Sequence, residues 1–185
     1  MGPVKRANES LRLIEGFQGA AFGLADGVVC ILGMIVGSAV ATGDLKIILV
    51  ATITGGLADA LGNAIGFYLS ELSERGEQIH AIEHGENNSV HSMTEVLTSG
   101  IFSFAATVLV LVLLLIPFAF LTTVNAVVTA SFEGIVILFL LGIYVGKLSN
   151  ESPTRTAIKY VLLGIAGAAF SYLVGDLLRV WLLSF

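Results

Sequence analysis

Charged side chains are scarce in this sequence, since Asp, Glu, Lys and Arg make up only 12% of its 185 residues. In soluble globular domains about a quarter of all residues are charged. Here, by contrast, 56% of the residues are hydrophobic. The shortage of charge excludes a soluble domain and predicts an integral membrane protein. The 21 glycines agree with this interpretation, because glycine is more frequent in membrane helices than in soluble ones.

Cysteine and histidine are also rare, and their scarcity excludes several functions. Cys30 is the single cysteine, so a disulfide framework within the chain is excluded. The three histidines all lie between His80 and His91, which leaves no histidine pair on a membrane helix and argues against an enzyme or an electron-transfer protein. The polar first dozen residues predict no cleavable signal peptide, and nothing indicates nucleic-acid binding.

Long apolar segments predict an all-α integral membrane protein with five transmembrane helices. A helix needs roughly 20 apolar residues to cross a bilayer. Five segments meet this requirement: Phe17 to Ala41, Ile47 to Leu69, Ser99 to Leu121, Val124 to Gly146, and Ile158 to Leu183. The short links after the first and third segments predict antiparallel hairpins.

The distribution of Lys and Arg predicts the orientation, because cytoplasmic loops carry an excess of both. With the N-terminus inside, only Lys46 and Arg179 lie outside. The basic residues on the cytoplasmic side are then Lys5, Arg6, Arg12, Arg75, Lys147, Arg155 and Lys159. We expect a multi-pass protein of the inner cell membrane with a cytoplasmic N-terminus and an external C-terminus.

The chain divides into three parts by composition. Residues 1–69 hold the N-terminal segment and the first two helices, residues 70–98 form an acidic cytoplasmic loop, and residues 99–185 hold the last three helices. Helix two is expected to extend into the cytoplasm and to end at Gly85, a weak helix former. Ser92 and Glu95 resemble a capping box that opens helix three.

The motif Gly-Leu-Ala-Asp occurs twice, ending at Asp26 and at Asp59, each time inside an apolar segment. An aspartate in mid-membrane costs roughly 2.5 to 3.5 kcal/mol on insertion scales and usually faces a partner or an ion. Two carboxylates without water repel each other unless a proton or a cation neutralises them. We therefore predict a shared site in which a metal ion enters as a proton leaves. The alternative is that each aspartate bonds to neighbouring hydroxyl groups or caps a broken helix.

Further ligands are predicted near these aspartates. Asn63 shares the helix face of Asp59, one turn later. Cys30 and Met34 follow Asp26 at four-residue steps, and sulfur ligands favour late transition metals over magnesium or calcium. The alternative for Cys30 and Met34 is a packing role.

Acids and histidines crowd into residues 71–95 and predict a second, cytoplasmic metal site. Glutamate oxygens and imidazole nitrogens suit Fe(II), Mn(II), Co(II) or Zn(II). The candidate ligands are Glu71, Glu74, Glu77, His80, His84 and Glu95, of which Glu77, His80 and His84 share one helix face. A solvated acidic loop is the alternative.

Two more acids lie in the later helices. Glu133 in helix four has no local partner and is a candidate for a proton relay or for a hydrogen bond across helices. Asp176 precedes Arg179 by three residues, a spacing that predicts an ion pair on one helix.

These motifs resemble the vacuolar iron transporter family. Ala25 to Val29, followed by spaced glycines, resembles that family's first helix, and Gly55 to Ala60 resembles its second, in which a glutamate usually stands at the position of Asp59. Similarity extends through Leu115 to Pro117 in helix three and through Gly164 and Ser171 to Gly175 in helix five. The methionine that usually follows the acid of helix two is Phe67 here, and the cytoplasmic loop is shorter than the family's three-helix domain.

The resemblance implies a homodimer of five-helix protomers, with the ion path at the two-fold axis. It also implies proton-driven export of ferrous and related ions, with Asp26 and Asp59 as transport ligands and Glu74 and Glu77 as cytoplasmic ligands. Our prediction is therefore a transporter, with no tightly bound cofactor, that exports divalent metal ions (Fe2+, Mn2+, Co2+ or Zn2+) as its substrates. The alternative is a membrane-anchored metal sensor or scaffold that does not transport.

Overall fold

Helices make up almost all of the molecule in the computed structural model, which describes residues 3–85, 89–182 and 184. The helices found in these residues are α1 (Pro3–Thr42), α2 (Leu45–Glu83), α3 (Met93–Phe120), α4 (Thr123–Leu148) and α5 (Pro153–Leu182). Each is long and apolar enough to cross a membrane. The prediction of an all-α, five-helix membrane protein is confirmed, although the predicted last residue, Leu183, lies outside the described residues.

The ends of the helices follow from local sequence. Asp44 caps α2, because its side chain accepts a hydrogen bond from the backbone nitrogen of Lys46 at 2.7 Å. The predicted capping box of α3 is confirmed: Ser92 and Glu95 bond to each other's backbone nitrogens. The α2 helix ends beside Gly85, whose φ of 86° suits glycine better than any other residue.

Two helices are longer than their apolar segments. The α1 helix begins at Pro3, well before the apolar segment, and α2 has 39 residues. At about 1.5 Å per residue α2 is about 58 Å long, against roughly 30 Å for the hydrocarbon core. The helix is thus longer than a membrane crossing needs, and the predicted extension of its polar C-terminal part into the cytoplasm stays a prediction.

The α1 helix is the centre of the bundle and packs against each of the other four helices. Its residues Val28, Ile31 and Ile35 are completely buried. They form the core together with buried side chains of α2, α3 and α4. The buried face of α1 is thus held from several sides, which suits a helix that positions a functional group.

The contact between α1 and α3 is the closest in the fold. Three glycines of α1, at four-residue steps, lie directly against three small residues of α3, in the order Gly19–Ser99, Gly23–Ser103 and Gly27–Thr107. Both numbers rise together, so the two helices are parallel. A Cβ atom at Gly23 would lie 2.3 Å from the carbonyl oxygen of Ser103, so any side chain at this position would force the two backbones apart.

Glycines at four-residue spacing elsewhere behave in two ways. Gly37 is in contact with Ser171 of α5, and Gly142 lies against Ala157 at the start of α5. Gly62 and Gly66 on α2 differ, since no atom of the described residues lies within 4 Å of a Cβ built at either position. Their small size brings no helix of the same chain close.

Candidate metal centre

The facing surfaces of α1 and α2 keep one antiparallel register over several turns. The Sδ atom of Met34 occupies the space that a Cβ at Gly55 would need. One turn along, the thiol of Cys30 lies beside the carboxylate of Asp59. Further along, the rings of Phe22 and Phe67 are in contact. These contacts come at matching four-residue steps, and the register places Asp26 level with Asn63.

Within this register, Asp26, Cys30 and Asp59 converge. One ligand atom from each lies within 4.8 Å of the other two, and all three side chains are partly buried. The thiol of Cys30 lies 3.7 Å from Oδ2 of Asp26, at hydrogen-bonding distance for sulfur. The two aspartates thus meet at the contact between α1 and α2, as expected from the repeated motif, while their role as metal ligands stays a prediction.

A buried network holds Asp59 in place. The Asn63 amide donates to Oδ2 of Asp59 at 3.4 Å and to the hydroxyl of Thr107 at 3.2 Å. The Thr107 hydroxyl, completely buried in α3, donates to the carbonyl oxygens of Gly23 and Ser103, each at 3.1 Å. The orientation of Asp59 therefore depends on contacts with α2, α3 and, through Gly23, α1.

Met34 lies one turn beyond Cys30 on the same face of α1, toward the start of α2. Its sulfur is packed against α2 at Gly55, which is the packing role named as the alternative. A ligand role for Met34 and for Asn63 stays a prediction.

A second group of potential ligands lies at the polar end of α2. Atoms of Glu71, Glu74 and His91 lie within 4.8 Å of one another, and Nδ1 of His91 is 3.3 Å from Oε2 of Glu71. Only 6% of Glu71 is exposed. The segment that carries His91 is fixed by its backbone, which donates to Gln78 at 2.8 Å and accepts from Arg75. The arrangement combines carboxylate oxygens with an imidazole, a donor set suited to transition metals.

The other predicted cytoplasmic ligands lie elsewhere on α2 and α3. Glu77, His80 and His84 are exposed, and the rings of His80 and His84 are in contact, with centroids 4.2 Å apart. Among the described residues they form no group of three with closely spaced ligand atoms. Glu95 accepts a hydrogen bond from the Ser92 backbone at 2.6 Å as part of the capping box.

Glu133 lies on a different side of the bundle. It borders an apolar groove between α3 and α4, together with Leu113, Ile116 and Phe132. Its Oε2 atom is buried and has no hydrogen-bond partner among the described residues. The neighbouring Gly134 packs against Leu32 of α1, and Glu133 belongs to neither group of potential ligands among the described residues. The ion pair predicted between Asp176 and Arg179 is confirmed, at 2.6 Å.

Two residues of these sites were not predicted as such. Thr107 could have been found from the matching four-residue steps of small residues in α1 and α3. His91 joins Glu71 through a contact that spans 20 positions in the sequence, and helical spacing favoured His80 and His84 instead.

The part of the chain that resembles known proteins includes both groups of potential ligands. A family model described as the VIT family matches residues 17–96 and 77–176. The chain is also similar to an uncharacterized protein of Methanocaldococcus jannaschii, with 26% identity over 177 residues that cover 89% of this chain and 92% of the relative. The aspartates, the thiol, Glu71, Glu74 and His91 all lie within the matched range.

Proposed function

Because the chain belongs to the VIT family, which implies metal-ion transport across a membrane, we propose that it exports divalent transition-metal ions from the cytoplasm in exchange for protons. The observation that carries this proposal is the convergence of Asp26, Cys30 and Asp59 between two membrane-spanning helices. Carboxylates in the hydrocarbon region are costly unless they serve an ion or a partner. A cluster of two carboxylates and a thiol is a site for a partly dehydrated cation.

The donor atoms favour Fe(II) or Mn(II) as substrates. Two carboxylates supply hard oxygen ligands, which suit Mn(II), and the Cys30 sulfur adds a soft ligand, which favours Fe(II), Co(II) and Zn(II) over magnesium and calcium. The sulfur therefore sets the balance among the transition metals.

Charge balance couples the metal to protons. Asp26 and Asp59 lie too close for both to stay charged in a low dielectric without a counter-charge. A divalent cation supplies that charge, and protons replace it when the cation leaves toward the outside. Glu133, which belongs to neither group of potential metal ligands among the described residues, is a candidate for carrying protons.

Ions reach this site from the polar end of α2. Glu71, Glu74 and His91 collect the ion where α2 leaves the membrane core, and Asp59, Asn63 and Glu71 lie at four-residue or eight-residue steps on one face of α2. The excess of basic residues predicted for this side supports a cytoplasmic position for it. The exposed Glu77, His80, His84 and the nearby Glu95 increase the local concentration of cations around it.

A second copy of the chain completes the site. Asp26 and Asp59 are only partly buried within one chain, and Ala58, Gly62 and Gly66 beside them on α2 are exposed. Polar ligands do not face hydrocarbon, whereas small residues at four-residue steps let helices approach closely in lipid. A homodimer through this face of α2 covers the carboxylates and puts the ion path between the two protomers.

Asp59→Ala tests the transport site. Removal of this carboxylate is expected to lower metal uptake into inside-out vesicles at least about tenfold, since loss of even an outer partner of a metal ligand costs that much. Flux of Fe(II), kept anaerobic, and of Mn(II) is measured with a metal-sensitive dye inside the vesicles.

Asp176→Asn is the matched control, because Asp176 forms an exposed ion pair on α5 and should leave flux unchanged. Normal flux in Asp59→Ala would contradict the site. Metal binding by the wild-type protein without any flux would favour a sensor or scaffold in place of a transporter.

A further inference from the structure

Between the polar end of α2 and the aspartates, the side chains at the contact of α1 and α2 change from polar to aromatic and back to polar. On α2, Phe67 lies one turn before Glu71 at the polar end. Asn63 and Asp59 lie one and two turns before Phe67. On α1, Phe22 comes one turn before Asp26. An aromatic layer thus separates the Glu71 cluster (Glu71, Glu74 and His91) from the cluster of Asp26, Cys30 and Asp59.

The two rings close this layer from opposite helices. Long side chains on a helix point back toward its N-terminus, and α1 and α2 are antiparallel. Phe22 therefore leans away from the aspartates while Phe67 leans toward them, and the rings meet with centroids 5.6 Å apart and planes tilted by 44°. This is a favourable geometry for an aromatic pair.

We propose that Phe22 and Phe67 form an aromatic gate on the cytoplasmic side of the metal centre, which must open for each ion that passes between the Glu71 cluster and the aspartates. The proposal rests on the proposed function for the direction of ion movement. Hydrophobic constrictions block ions because water, and with it a hydrated ion, does not fill them. In the homodimer the pairs of both protomers border the same path.

A simple packing role for the rings is the competing explanation. Phe22 is 46% exposed within one chain, so its own chain does not enclose the ring. Phe102 on α3 has nearly the same exposure, 47%, and is not part of the ring pair between α1 and α2. The two explanations differ in one respect: a gate controls access to the aspartates, and a packing contact does not.

Cys30 provides a direct measure of access, because it is the single cysteine of the chain and lies beside both aspartates. Inside-out vesicles are treated with a positively charged, membrane-impermeant methanethiosulfonate, and the rate of modification is followed by mass spectrometry. Loss of an aromatic contact shifts an open–closed equilibrium by up to about tenfold. We expect Phe22→Ala and Phe67→Ala to accelerate modification of Cys30 by about this factor, and Phe102→Ala to leave the rate unchanged.

Phe67→Leu keeps most of the apolar volume but removes the ring, so it decides the question where the alanine variants do not fold, and it too should accelerate modification. Unchanged rates in the ring variants would overturn the gate, as would an equal acceleration in Phe102→Ala. The measurement needs no transport. If the ring variants leave the modification rate of Cys30 unchanged while Asp59→Ala still blocks flux, only the gate is refuted. If the wild-type protein shows no flux, only the proposed function is refuted.

Discussion

At the scale of single residues, the candidate metal centre depends on side chains that local sequence identifies and on partners that it does not. Asp26 and Asp59 stand out because an acid within an apolar segment has few structural uses. The Thr107 hydroxyl, which connects Asn63 to the backbone of α1, looks like any threonine of a membrane helix. Its role follows from its position opposite Gly23 and Gly27.

The Cys30 sulfur is expected to set metal preference. Cys30→Ser replaces a soft ligand by a hard one, so uptake of Fe(II) relative to Mn(II) should fall, by about tenfold or more if the sulfur binds the ion directly. Competition between the two metals in vesicle uptake measures this ratio.

Cys30→Met retains a sulfur atom at this position and should preserve the preference for Fe(II). An unchanged ratio in Cys30→Ser would mean that the thiol only fills space between α1 and α2.

At the scale of helices, the contact between α1 and α3 positions the site. Backbone of α1 touches backbone of α3 at Gly19 and Gly23, and this close approach brings Thr107 within reach of Asn63 on α2. The apolar segments predicted all five helices, because length and hydropathy are local properties. They did not predict that α1 begins at Pro3, since that region is polar. Four-residue glycine spacing alone does not tell such contacts apart, since Gly33 and Gly142 lie against α5 whereas Gly62 meets no atom within 4 Å among the described residues.

The same substitution at two glycines tests this contact. Gly23→Ala places a methyl group against the carbonyl of Ser103 and should lower the free energy of unfolding by about 1 to 3 kcal/mol. Gly76→Ala on α2 meets no atom within 4 Å among the described residues, so the better helix propensity of alanine should raise stability by up to about 1 kcal/mol. Thermal unfolding of the purified proteins in detergent measures both changes. If Gly23→Ala were as stable as the wild type, or if both variants changed stability by the same amount, α1 and α3 would not be packed this closely.

At the scale of the whole molecule, one side of α2 differs in composition from the rest of the surface. Partly exposed carboxylates and the open glycines Gly62 and Gly66 occupy the same side of α2, whereas the remaining surface of the bundle is mostly large apolar side chains, as lipid requires. This asymmetry is the physical basis for the proposed homodimer.

The proposed homodimer predicts that Gly62→Phe gives a monomer, because a ring at this position prevents close approach of two α2 helices. Light scattering of the detergent-solubilised protein measures the molar mass, and vesicle uptake should fall with it. Ala166→Phe, at an exposed position of α5, controls for the added bulk and should remain dimeric. A dimer that survives Gly62→Phe would place the interface on another face.

The amino-acid sequence by itself determined that this is a five-helix membrane protein, because scarcity of charge and the length of apolar segments are properties that need no tertiary contact. It also determined which acids lie in the membrane. Only the tertiary structure decided which groups meet: Cys30 with both aspartates, His91 with Glu71, and Phe22 with Phe67. Those pairings depend on the register of α1 against α2 and on the return of the loop beside α2, and both are set by packing between residues distant in the chain.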